Sequence, residues 1–112
     1  MQNKPIRLIS ENERLKIEIG ASTFIYRRAL GSTISQIRRA YTKGGEFDAE
    51  GFADEILEKH VLDWRDVLNE RDEQVPFSPD KVKYLPDEVR AKLLGAINGI
   101  SGELEKNWSH TP

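Results

Sequence analysis

The chain has no cysteine and only two histidines among its 112 residues. The first absence removes disulfide frameworks and thiolate metal sites, and fits a reducing cytoplasm. The second leaves little for imidazole ligation. His60 falls in a helical segment and His110 near the carboxyl end, so the two do not make a zinc site together. Long apolar runs are also missing. The opening "MQNKPIRLISENERL" lacks the uncharged core of a signal peptide, and no stretch of about eighteen apolar residues is present to cross a bilayer. No membrane partner is expected.

What is present is charge. Charged residues make up 32% of the chain against 38% hydrophobic, which predicts a heavily solvated surface around one modest core. Residues 1 to 45 carry nine Lys and Arg against three acids, and residues 46 to 112 carry eight against sixteen, so a net charge of −2 conceals halves of +6 and −8. Mutual neutralisation within one fold is the favoured explanation; head-to-tail self-association and attraction to a charged partner are the others.

"LKIEIGASTFIYRR" alternates Leu15, Ile17 and Ile19 with charged residues, breaks at Gly20-Ala21-Ser22 and continues in the β-forming "TFIYRR", the pattern of a hairpin. The earlier "IRLIS", with Ile6 and Leu8, predicts a third strand. Leu30, Ile34, Ile37 and Tyr41 then recur at helical spacing, giving a helix over 33–43 with Ser32 as N-cap and Gly44-Gly45 as stop. From Asp48, a broad stripe of Phe52, Ile56, Leu57, Val61, Trp64, Val67 and Leu68 predicts one long central helix.

Pro76 forces the chain out of that helix. Ser78-Pro79-Asp80 and Pro86-Asp87-Glu88 then read as two helix starts, and Phe77 is expected to pack on Trp64. The last helix carries Val89, Leu93, Ile97, Ile100, Leu104 and Trp108 on one stripe and frays past Gly99. The expectation is an α+β fold: a small antiparallel N-terminal sheet of two to three strands (residues 1–30) covered by three to four helices. It forms a single domain over 1–108 with a flexible tail at 109–112. The core would hold Phe52, Ile56, Val61, Trp64, Phe77, Leu85, Val89 and Leu93.

Catalytic chemistry finds little support. His60 lies in the apolar arc with Asp63 one helical turn away, an arrangement that more often marks a hydrogen-bonded core histidine than a catalytic pair. Acid pairs such as Asp54/Glu58 and Glu70/Asp72 arise freely at this charge density, and neither "LGST" nor "KGGE" has the spacing of a phosphate loop. No catalytic, cofactor-binding or metal-binding residue is expected. Arg27-Arg28, Arg38-Arg39 and Lys43, interleaved with Tyr26 and Tyr41, resemble a nucleic-acid patch, but adjacent helical arginines diverge by about 100°. Solvated faces and pairing with acidic helices account for the same residues.

One pattern is more specific. An arginine-bearing strand end, a helix closing in "YTKGG", a helix ending in a tryptophan, an acidic bend, Pro-Phe-Ser-Pro and a helix after Leu-Pro follow in order over residues 17 to 97. This order, above all "VLDWRDVLNERDEQVPFSPDKVKYLP", resembles the tail assembly chaperones of long-tailed bacteriophages. Those proteins usually carry glycine in the bend, where this chain has Glu70-Arg71-Asp72-Glu73. The resemblance implies a noncatalytic, oligomeric protein of the bacterial host cytoplasm. Its partners would be the tape measure protein, which it keeps soluble, and the tail tube protein, whose recruitment it assists. In many such genes a ribosomal frameshift appends a second domain to some copies, which would make these 112 residues the short product. The partner-binding surface is expected on the end of the terminal stripe, at Ile97, Ile100, Leu104 and Trp108. The alternatives are another phage structural adaptor, such as a head–tail connector component, and a small nucleic-acid-binding protein.

Overall fold

A computed structural model describes residues 5–99 apart from 7 and 11. Strand β1 (Leu15–Ile19) and strand β2 (Ser22–Tyr26) form the expected hairpin. Gly20 sits at the first turn position with φ 62°, a value that a two-residue loop demands and glycine adopts without cost. The register pairs Leu15 with Tyr26, Ile17 with Phe24 and Ile19 with Ser22, placing these residues on one face. Lys16, Glu18, Thr23 and Ile25 share the other.

The third strand is not where the sequence pattern placed it. Ile6 and Leu8 are 95% and 88% exposed and belong to no strand. Instead the central helix stops early. Helix α2 (Ala49–His60) runs directly into a strand, β5 (Val61–Arg65), which pairs antiparallel with β2 to give the order β1-β2-β5. The register slips between Ile25 and Tyr26, so Leu62 is an extra residue on β5, and Val61 and Trp64 both face the core beside Tyr26 and Phe24.

Helix α1 (Gly31–Ala40) begins and ends earlier than predicted, and Leu30 rather than Ser32 occupies the N-cap position. The two glycines that read as a helix stop form the turn of a small second hairpin, strands β3 (Thr42–Lys43) and β4 (Glu46–Phe47). Gly44 and Gly45 both have positive φ, at 56° and 82°, as a type I′ turn requires. Asp48 then caps α2 by accepting a hydrogen bond from the Gly51 amide at 3.0 Å.

A 3-10 helix over Pro79–Tyr84 and helix α3 (Asp87–Asn98) begin at the two proline signals. α3 ends at Gly99, which is left-handed with φ 69°. The α+β architecture is therefore a three-stranded antiparallel sheet with three α-helices and one 3-10 helix among the described residues. Ile56, Val61, Trp64 and Leu93 are buried as expected, and Phe52, Phe77, Leu85 and Val89 pack half-buried against them. Phe24, Tyr26, Ala29, Ile37, Leu57, Val82, Ala96 and Ile97 complete the buried set. Arg90 ties α3 to α2 by pairing with Asp54, and a 3.6 Å contact with Asp87 orients the same guanidinium. No helix among the described residues is long and apolar enough to cross a membrane.

Candidate docking groove

Trp64 organises the surface that follows β5. Its ring meets Phe24 edge-on at 6.1 Å and Phe77 at 5.1 Å, with interplanar angles of 87° and 88°. Its indole nitrogen donates to the Val75 carbonyl at 2.7 Å. One side chain thus fastens the sheet to the loop, beside Val67, Val75 and Phe77, which also pack against the core. The expected Trp64–Phe77 contact is present, although Trp64 comes from a strand rather than a helix end.

Between Trp64 and Val75 the chain doubles back. The Val75 amide donates to the Val67 carbonyl at 2.8 Å, and Leu68 bridges Gln74. The bend closes on Asn69, whose side-chain oxygen accepts from the amides of Arg71 and Glu73. Asp72 takes the left-handed conformation, φ 59°. Aspartate tolerates this region better than most side chains, so the bend forms without glycine.

This folded-back loop and the 3-10 helix enclose a groove of about 420 Å³. Its floor and walls are the edge of Trp64 with Val67, Val75 and Leu85, while Leu68 and Tyr84 stand at its mouth, 48% and 76% exposed. Glu70 and Lys81 lie on its rim. Lys83 sits over the Tyr84 ring at 5.6 Å. Apolar walls with charges only at the rim suit an apolar helix face or an extended segment rather than a small polar substrate. The sequence contained the signal: Leu68 and Tyr84 lie in the most specific quoted stretch, but the helical reading turned Leu68 inward.

The terminal stripe fares differently. Ile97 is 0% exposed and its carbonyl accepts from the Ala29 amide at 3.0 Å, so it seals the core and is not part of an exposed stripe. Ile100, Leu104 and Trp108 lie outside the described residues.

His60 is buried at 3% exposure, and its Nδ1 donates to the Ile56 carbonyl at 2.7 Å. Burial lowers its pKa below the usual 6.5, only partly opposed by that hydrogen bond. Asp63 is on β5 and accepts from the Trp64 amide at 2.8 Å, so the helical His60–Asp63 pair does not exist. Among the described residues no cluster of three His, Cys, Asp or Glu side chains could hold a metal ion.

The basic residues that resembled a nucleic-acid patch are dispersed. Arg27 donates twice to the Lys59 carbonyl, at 3.1 and 2.9 Å. Arg28 lies against Gly99, occupying the space a Cβ there would need. Arg38 stacks over Phe47 and Phe52, 5.1 Å from each ring centre, and Tyr26 is buried. A second, broader hollow of about 720 Å³ borders the β3–β4 hairpin at Tyr41, Lys43, Phe47 and Asp48. There the Tyr41 hydroxyl donates to Glu55 at 2.7 Å, and that bond does most to raise the tyrosine pKa.

No protein-family model, curated protein or solved structure matches this chain.

Proposed function

We propose that the chain is a noncatalytic tail assembly chaperone of a long-tailed bacteriophage. In this reading it binds apolar helical segments of the tape measure protein in the host cytoplasm, keeps them soluble and assists recruitment of tail tube subunits. The observation that carries the reading is a coincidence of place. The groove is built by residues 64 to 86, and these fall within the stretch on which the resemblance is most specific. A greasy cleft with a charged rim offers a helix somewhere to lay its apolar face while the chaperone's own surface stays solvated. Several copies acting along one long partner would turn weak single contacts into firm holding. Ile100, Leu104 and Trp108 remain a second proposed contact, beyond the described residues.

The test is co-expression with the tape measure protein of the same phage, followed by pull-down from the soluble fraction. Leu68→Asp with Tyr84→Asp alters two exposed side chains at the mouth of the groove, and Ile100→Asp with Leu104→Asp alters the terminal stripe. Wild-type protein should hold the partner in solution, and the groove pair should lose it while melting as wild type does. Wild-type protein that leaves the partner insoluble sinks the proposal. A chaperone should also be missing from purified virions, where a connector component would be found.

A further inference from the structure

We propose that two copies of the chain join through the outer edge of β1, antiparallel about a two-fold axis at Ile17, to give one continuous six-stranded sheet. This stands apart from the chaperone reading. Among the described residues β1 pairs only with β2, so its other edge meets no strand. Its sequence is Leu15-Lys16-Ile17-Glu18-Ile19, with the three apolar residues half-buried and the two charges exposed. Among the described residues neither charge has an ion-pair partner.

The sequence of this edge is complementary to itself. With Ile17 opposite Ile17, Lys16 of each copy faces Glu18 of the other, twice per dimer, and Leu15 faces Ile19. A slip of two residues either way sets Lys16 against Lys16 or Glu18 against Glu18. A slip of one puts apolar residues opposite charged ones, on the wrong faces.

The hydrogen-bond phase selects the same register. The two-residue Gly20-Ala21 turn makes Ile19 and Ser22 a mutually bonded pair, and alternation then directs the amide and carbonyl of Ile17 toward Phe24. The groups of Lys16 and Glu18 therefore point outward. In the Ile17-centred register those outward groups meet each other, so charge pairing and backbone pairing agree. The far edge of the sheet is less receptive, because the Trp64 amide is already satisfied by the Asp63 carboxylate. An edge of five residues is a small interface, so the association is weak, concentration-dependent and favoured by low salt.

Sedimentation of the full chain up to millimolar concentration tests this. Wild-type protein should dimerise, and Lys16→Glu or Glu18→Lys alone should each weaken the dimer on the order of ten- to a hundred-fold, since both cross-strand pairs become repulsive. Mixed in equal amounts, the two single variants should form a heterodimer, because one now carries two acids and the other two lysines. The double exchange Lys16→Glu with Glu18→Lys should restore the homodimer. Both side chains are exposed, and circular dichroism confirms folding of each variant. A chain that stays monomeric throughout, or a dimer indifferent to both single reversals, overturns the proposal.

Discussion

Trp64 and Val75 are joined by a hydrogen bond of 2.7 Å from the indole nitrogen to a loop carbonyl, and through it the sheet holds the loop that walls the groove. Trp64→Phe keeps most of the ring contact with Phe24 and Phe77 but strands that carbonyl. The expected loss is about 1–3 kcal/mol in chemical denaturation, together with faster amide exchange across residues 67 to 75. Trp64→Ala also opens a cavity and should cost about 3–5 kcal/mol.

His60 predicts an acid-sensitive core. Its folded pKa lies below the unfolded value of 6.5, so under mildly acidic conditions the unfolded chain binds the extra proton. The stability it contributes is present above pH 6.5 and is lost as pH falls through that value toward the folded pKa. His60→Gln, which retains a donor for the Ile56 carbonyl, should flatten the stability profile between about pH 5 and 7. His110→Gln is the control, and an unchanged slope in His60→Gln would contradict the assignment.

Asp72 adopts φ 59° in the bend. Asp72→Gly should be neutral or stabilising by up to about 1 kcal/mol, whereas Asp72→Val should destabilise by about 1–2 kcal/mol. Thermal melts of the two variants check the order, and a stable valine variant would show that the bend can relax.

Arg90 and Asp54 link α3 to α2, with the arginine side chain 12% exposed. Asp54→Ala leaves a largely buried cation whose remaining ion-pair partner among the described residues is Asp87, at an expected cost of about 1–3 kcal/mol. Asp54→Ala combined with Arg90→Met should cost less than the sum of the single changes. A double-mutant cycle in urea measures that coupling.

The hairpin and the proline-marked helix starts were legible because each depends on neighbours in sequence, and the Trp64–Phe77 contact because two large aromatics flank one short polar bend. The end of α2 was not. The bulge at Leu62 turns Val61 and Trp64 toward the same face although they are three residues apart, and this spacing also fits a helix. No glycine or proline marks the change either, since Val61 itself follows the last helical residue. Only the chance to pair with β2 distinguishes strand from helix there, and pairing is a long-range property. Gly44-Gly45 was ambiguous for a similar reason: a helix stop and a type I′ turn use the same residue. Ile97 was misjudged because the stripe does not reveal where the core ends. Leu68 was obscured by the helical reading of the segment that carries it.

The side chain of Asp63 has a final consequence. By occupying the neighbouring amide it plugs one border of the sheet from within, while among the described residues the border at β1 meets no strand. Two molecules joined at their open borders would turn only plugged ones to the outside. Such a ribbon terminates after its second member, which distinguishes a discrete pair from the start of a fibril.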